Sequence, residues 1–363
     1  MKVTIVAGAR PNFMKIAPII KQFDAAKKQG SNISYRLVHT GQHYDKKMSA
    51  DFFDELQIPY PDVNLECGGG TQAEQTASIM VRFEKELGAN KPDVVIVVGD
   101  VTSTMACTIT AKKLCVDVAH VEGGIRSGDM TMPEEINRIV TDSICDHFFT
   151  TSECANELLK RTGVDAQRIH FVGNTMIDSL YNNIERLVAP AVWNEQKLSA
   201  KNYFLVTLHR PSNVDEPQQL ASLIEAILNS TGNLPVIFPV HPRTMKNLTK
   251  VDVAAGRLIC TEPMSYLQFI YLVKHAKAVI TDSGGITEEA TVLDVPCMTL
   301  RNSTERPETV TMGSNELVGT DADKLKPYLK KVMSNNWKSG TVPPLWDGRT
   351  SERIVAKLLT IYN

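Results

Sequence analysis

Ala278-Val-Ile-Thr-Asp-Ser-Gly-Gly-Ile-Thr-Glu-Glu-Ala290 carries the pattern from which the fold is read. A short apolar run, the mark of a strand buried on both faces, ends in Ser283-Gly-Gly and passes directly into a helical segment. Free N–H groups at such a helix start, together with its dipole, form a binding place for a pyrophosphate. Gly284 and Gly285 let the backbone approach a ligand without Cβ clashes. Glu288 and Glu289 follow on the first turns, where one carboxylate can accept both hydroxyls of a ribose. A serine N-cap with helix-stabilising acids fits the same residues, so the wider context has to decide.

That context is alternation. Apolar runs at Lys2–Ala7, Tyr35–His39, Val94–Val98, Val116–Val121 and His147–Thr150 are each followed by amphipathic segments. The theme repeats at Phe204–Leu208, Val236–Val240, Arg257–Cys260, Ala278–Thr281 and Cys297–Leu300. Strands alternating with helices on this scale imply parallel sheets with right-handed crossovers. The expected fold is α/β, with two Rossmann-like doubly wound domains facing a central cleft. The expected first domain is 1–171 plus 349–363, with Ser351–Tyr362 returning as a packed helix, and the second is 172–348.

At 363 residues, two cores suit the chain better than one. Hydrophobic residues make up 43% and charged residues 22%, and 39 basic side chains nearly balance 41 acidic ones, for a net charge of -2. This balance gives no electrostatic reason to expect nucleic acid or an anionic membrane as partner, so any phosphate site must be local. No apolar stretch approaches the roughly 20 residues that span a bilayer, and Met1–Ala9 is too short for a signal peptide; a cytoplasmic protein is expected. Seven cysteines without a CxxC spacing read as reduced core residues. No GxGxxG or GxxxxGK[ST] motif is present, which argues against a tightly held dinucleotide and against ATPase chemistry.

In open parallel sheets, ligands bind beyond the carboxyl ends of the strands. The residues just past the apolar runs are Arg10, Asp100, Glu122, His209, His241 and Ser283. Six such ends place ionisable or hydrogen-bonding groups where a shared cleft would lie. Gly8-Ala-Arg-Pro-Asn-Phe-Met-Lys15 is a second strand–turn–helix junction, from which Arg10 and Lys15 can reach phosphate oxygens. Pro133 opens a further helix whose expected buried stripe is Ile136, Ile139, Val140 and Ile144. Glu134 and Arg138 then fall on its opposite face, at the spacing of an ordinary surface ion pair. His39 and His43 do not form a helical metal pair, and His120, His147, His170 and His275 read as structural. No metal is expected.

With these residues assembled, the chain resembles the non-hydrolysing bacterial UDP-N-acetylglucosamine 2-epimerases along essentially its whole length. The resemblance is carried by Gly8-Ala-Arg-Pro with Lys15, Thr40-Gly-Gln-His, Gly99-Asp100, and His120-Val-Glu-Gly-Gly-Ile-Arg-Ser. Further on come Pro133-Glu-Glu-Ile-Asn-Arg, Gly173-Asn-Thr, His209-Arg, Pro239-Val-His-Pro, Thr281-Asp-Ser-Gly-Gly-Ile-Thr-Glu-Glu and Thr304-Glu-Arg-Pro-Glu. It implies a glycosyltransferase-B-like architecture, a homodimer that closes on a UDP-sugar, and no metal or nicotinamide cofactor. By motif it places Lys15, Asp100, Glu122, Glu134 and His209 in the catalytic group. Arg10, Ser283, Gly284, Gly285 and Arg306 would hold the diphosphate, Glu289 the ribose, and Phe269 with the Met264 backbone the uracil, with His241 also in the UDP site. Gln42 and His43 match a second, activating site, although the Cys67-Gly-Gly-Gly-Thr-Gln loop beside it departs from the family pattern. Gly123 and Ile125 stand where Ala and Leu are usual.

The resemblance implies epimerisation at C2 by loss of UDP to 2-acetamidoglucal and its return. A C2 hydrogen flanked by no carbonyl resists direct abstraction, and expulsion of UDP acidifies it through positive charge developing at C1. Modified UDP-2-acetamido sugars (2,3-diacetamido-glucuronate or 6-deoxy-talosamine types) and a glycosyltransferase of the same architecture are the rival expectations.

Overall fold

The structure is a computed structural model that describes residues 1–42, 53–240, 242–248 and 256–362. They form two compact units, Met1–Asn182 with Pro344–Asn363, and Asn183–Pro343. The first unit is built on strands β1 (Lys2–Ala7), β2 (Ser34–His39), β3 (Val63–Asn64), β4 (Val94–Val98), β5 (Asp117–Val121), β6 (His147–Thr150) and β7 (Ile169–Phe171). They lie in the order β3-β2-β1-β4-β5-β6-β7, with every neighbouring pair parallel. The second unit holds β8 (Phe204–Thr207), β9 (Val236–Pro239), β10 (Leu258–Thr261), β11 (Ala278–Thr281), β12 (Cys297–Thr299) and β13 (Asn315–Leu317). Its order is β10-β9-β8-β11-β12-β13, again wholly parallel. Both sheets therefore have a switch point, between β1 and β4 and between β8 and β11, where the chain winds away in opposite directions and a crevice opens.

Each apolar run of the sequence is a strand, displaced by at most one residue at either end. Val94-Val-Ile-Val-Val98 is buried throughout because helices cover both faces of its sheet. Each of those side chains contributes about 1.5–3 kcal/mol of burial. The edge strands β3, β7 and β13 left no trace in the apolar pattern. They are two or three residues long, pair on one side only, and carry half-buried or polar residues such as Asn64, His170 and Asn315.

The helix Pro133–Ile144 corrects the periodicity reading. Its buried residues are Glu135, Asn137, Arg138, Thr141 and Asp142, while Ile136 is 46% and Ile139 is 38% exposed. The polar stripe faces inward because it supplies partners for charges at the end of the sheet, as described below. Nor do the cysteines all lie inside: Cys67, Cys107, Cys145 and Cys297 are buried, whereas Cys115, Cys154 and Cys260 are exposed, and all seven are free. Among the described residues no helix is long and apolar enough to cross a membrane.

The C-terminal helix Thr350–Tyr362 packs on the first unit through Ile354, Val355 and Leu358. Its start is held by Asp178, whose carboxylate accepts the Thr350 N–H at 3.0 Å and the Ser351 N–H at 2.6 Å. Nearby, the buried Trp346 donates its indole N–H to the Thr151 carbonyl at 3.0 Å. Asp178→Ala would strand two buried N–H groups, at about 1–3 kcal/mol each. We therefore expect a loss of about 2–6 kcal/mol in urea unfolding followed by tryptophan fluorescence; an unchanged midpoint would contradict this anchoring.

Candidate active site

At the carboxyl edge of the first sheet, the β1 turn is set by Asn12. Its side-chain oxygen accepts the Gly8 and Ala9 N–H groups at 3.0 and 3.1 Å, and its amide reaches the Val98 carbonyl at 3.1 Å. This fastens the start of the helix Arg10–Lys28 across the switch point to β4. One turn on, Lys15 points back and pairs with Glu122, Nζ to Oε2 at 2.5 Å, with side-chain exposures of only 12% and 3%. Glu122 sits just past β5 with φ 71°, a left-handed backbone that a bulky residue adopts at a cost of roughly 1–3 kcal/mol and that marks functional turns. Gly99 takes φ 67° beside them, and a Cβ there would lie 3.0 Å from Lys15 Nζ. Glycine is thus what lets the ammonium approach the end of β4.

Asp100 follows, with its side chain 30% exposed. One arm of the Arg138 guanidinium grips its carboxylate, and the other donates to Glu135 at 2.8 Å. Asn137 adds a hydrogen bond to the Asp100 carbonyl at 2.9 Å. Burial alone would raise the Glu135 carboxyl, but the Ser127 and Gly128 N–H groups, Arg138 and the Ser127 hydroxyl hold it below its ordinary value. Asp142 is likewise held low against burial, by His120 and then Arg126. His120 spans from Asp142 at 2.7 Å to the Gly99 carbonyl at 2.8 Å, which fixes the backbone preceding Asp100. Glu134 and Arg138, though spaced as an ion pair, do not form one: Arg138 pairs with Asp100 and Glu135. Glu134, half-buried on the first turn, has no ion-pair partner among the described residues. The structure thus brings Lys15, Glu122 and Asp100 to one edge, with Glu134 on the helix that supplies Arg138; Arg10 opens the first helix with its side chain exposed.

In the second unit, His209 and Asp282 end the adjacent strands β8 and β11. His209 Nδ1 lies 2.7 Å from the Asp282 carboxylate, which is fully buried while the imidazole is 59% exposed. Ser283 is the N-cap of the helix Gly284–Val292, yet its side chain makes no capping hydrogen bond. The first N–H groups of that helix thus lack the partner that a capping serine would give them. A Cβ on Gly284 would meet nothing closer than 3.8 Å, so the surrounding fold does not demand a glycine there. The nearest groups, both at 3.8 Å, are the buried Arg301 guanidinium and the Glu305 carboxylate, doubly bonded to each other at 2.7 Å. Arg306 is also buried and ion-paired with Glu288. Glu289 is buried, accepts the Tyr266 hydroxyl at 2.9 Å, and is pushed up to about 8 by burial and the neighbouring Glu288. Met264 precedes and Phe269 lies on the helix that carries Tyr266, both half-buried.

Gln42 is already engaged, its amide oxygen accepting from the Ser103 N–H at 3.2 Å and hydroxyl at 2.8 Å. His43 and His241 lie outside the described residues. The sequence reading passed over Asp282, Arg301, Glu135 and Asp142. Each follows or flanks a noted residue, but its partner is distant in the chain or hidden in a loop. No group of three metal-ligating side chains is present among the described residues.

Comparison with known proteins assigns this arrangement to a family. The family model for UDP-N-acetylglucosamine 2-epimerase matches residues 25–359. A UDP-N-acetylglucosamine 2-epimerase of Methanocaldococcus jannaschii is 40% identical, covering 99% of each chain. A UDP-2,3-diacetamido-2,3-dideoxy-D-glucuronate 2-epimerase of Pseudomonas aeruginosa is 39% identical over 90% of each. The crystal structure of the Methanocaldococcus jannaschii UDP-GlcNAc 2-epimerase in complex with UDP-GlcNAc and UDP superposes with a TM-score of 0.86, at 40% identity, covering 99% of this chain and 100% of that one. The chain belongs to the UDP-N-acetylglucosamine 2-epimerase family, with the two Rossmann-like domains of the glycosyltransferase-B-like architecture, and is an isomerase.

The Glu289 environment fixes a pH dependence. A carboxyl raised from 4.5 to about 8 favours folding while neutral, and that contribution fades as pH rises through this window. Glu289→Gln stays neutral, so its stability relative to the wild type should grow between pH 5 and pH 8.5 in urea unfolding. A difference independent of pH would contradict the assignment.

Proposed function

We propose that this chain interconverts UDP-N-acetylglucosamine and UDP-N-acetylmannosamine by inverting C2. The observation that carries the reading is the gathering of Asp100, Glu122 and Lys15, with Glu134 nearby, at one sheet edge. Binding alone has no use for several carboxylates held in fixed geometry, whereas moving a proton on and off carbon does. The second unit offers what a UDP leaving group needs: helix N–H groups at Ser283-Gly-Gly, with Arg306 and Glu289 beside them. Arg10 of the first unit adds a cation for the diphosphate. Phe269 and the Met264 backbone are the groups we assign to the uracil.

In the proposed reaction a carboxylate removes the C2 proton as the C1–O bond breaks, giving 2-acetamidoglucal and UDP. UDP then returns to C1 while a proton is delivered to the opposite face of C2. Asp100 and Glu122 are the groups assigned to C2. Lys15, paired with Glu122, holds that carboxylate in place. His209 serves the departing phosphate.

A modified substrate is the second reading, supported by the likeness to the diacetamido-glucuronate epimerase. The test is proton NMR of UDP-N-acetylglucosamine with the protein in heavy water. We expect UDP-N-acetylmannosamine to form, with deuterium at C2 of both epimers, and Asp100→Asn to slow turnover at least about a hundredfold while UDP still binds. Free N-acetylmannosamine would mean a hydrolytic enzyme. No reaction with UDP-N-acetylglucosamine, but turnover of the diacetamido-glucuronate nucleotide, would favour the second reading.

A further inference from the structure

We infer that Asp282 is the positioning residue of the proposed reaction: it locks His209 with its proton on Nδ1, leaving Nε2 as the atom that exchanges a proton with the departing diphosphate. This rests on the function proposed above and concerns a residue to which that proposal gives no role.

The geometry is specific. Asp282 stands at the end of β11, beside the end of β8 that carries His209, at the switch point of the second sheet. One carboxylate oxygen, Oδ2, accepts the Arg210 N–H at 2.9 Å and the Asn213 side-chain amide at 3.0 Å. The His209 N–H is shared between both oxygens at 3.1 and 3.2 Å. Oδ1 is left for His209 Nδ1 at 2.7 Å. Asn213 is itself held by the Leu300 carbonyl at 3.0 Å, beyond β12. The carboxylate is therefore fixed by three strands. Burial would raise it, but His209, Asn213 and the Arg210 N–H hold it below the ordinary value, so it stays ionised.

An ionised carboxylate only accepts, so Nδ1 must donate, and the exposed side of the ring presents Nε2. As the C1–O bond breaks, its electron pair goes to the phosphate oxygen, which takes the proton from Nε2; the positive charge leaves the ring with that proton. On return of UDP, the oxygen gives the proton back to Nε2. Asp282 keeps its charge throughout and stabilises the imidazolium, as an aspartate does in a hydrolase triad.

Asp282→Asn reverses the tautomer with little change of shape. The Arg210 N–H and the Asn213 amide require an oxygen at the Oδ2 position, so the new NH2 group faces Nδ1. Nδ1 becomes an acceptor and the ring carries its single proton on Nε2: giving it up would leave an anionic imidazolate, and with that proton in place Nε2 has no lone pair to take one back. We expect kcat on UDP-N-acetylglucosamine to fall at least about a hundredfold, with the Kd for UDP changed less than about threefold. Long-range 1H–15N NMR of the imidazoles, with His209 identified by its loss in His209→Asn, should show Nδ1–H in the wild type and Nε2–H in Asp282→Asn.

A neutral wild-type ring with its single proton on Nε2 and none on Nδ1, or an Asp282→Asn enzyme with the flipped tautomer and kcat within about fivefold of wild type, overturns the inference. If Asp282→Asn does not fold, the wild-type spectrum decides alone. A protein inactive on UDP-N-acetylglucosamine but with Nδ1–H on His209 would count against the substrate and leave the dyad standing.

Discussion

The ion pair between Lys15 and Glu122, 2.5 Å long and almost removed from water, is the contact on which the first sheet's carboxyl edge depends. Two charges withdrawn from solvent cost several kcal/mol each, and their attraction repays this only with close geometry. The surroundings are organised to supply it. Gly99 leaves room for the ammonium, Asn12 fixes the turn that starts the Lys15 helix, and His120 anchors the Gly99 carbonyl. Asp100 extends the same demand. Its carboxylate needs Arg138, Arg138 needs Glu135, and Glu135 in turn gathers the Ser127 and Gly128 N–H groups. A helix that would ordinarily turn its isoleucines inward instead buries its polar side and leaves Ile136 and Ile139 to water.

The second sheet meets a similar demand differently. Its buried acid at the switch point, Asp282, is satisfied by N–H donors and by one histidine rather than by a lysine. What it leaves unused is a helix start whose N-cap serine does not cap. One edge thus holds carboxylates in place, and the other holds open donors and an imidazole. The reaction proposed above calls on both kinds of group.

Much of this was legible in the sequence, because parallel strands announce themselves as apolar runs and their carboxyl ends then locate the polar residues. Asp100, Glu122, His209 and Ser283 were found in that way. The short strands β3, β7 and β13 were not, since two or three residues pairing on one side need no apolar run. The Pro133–Ile144 helix misled because periodicity assumes that the apolar face is the buried one. Here electrostatic demand from Asp100, 38 positions away from Arg138 in the chain, decides which face turns inward. Asp282 escaped notice for a related reason: its partner His209 is 73 positions distant, and only the pairing of β8 with β11 brings them together.

Cleavage of the bond between C1 and the phosphate oxygen is what separates elimination and return of UDP from any route that leaves the nucleotide attached. UDP-N-acetylglucosamine labelled with 18O at that bridging oxygen tests it most directly, through the isotope shift of the β-phosphorus NMR signal. Once freed, the labelled oxygen becomes one of the terminal β-phosphate oxygens, so we expect label to scramble into non-bridging positions as epimers interconvert. Epimerisation with the label retained wholly in the bridge would contradict the account.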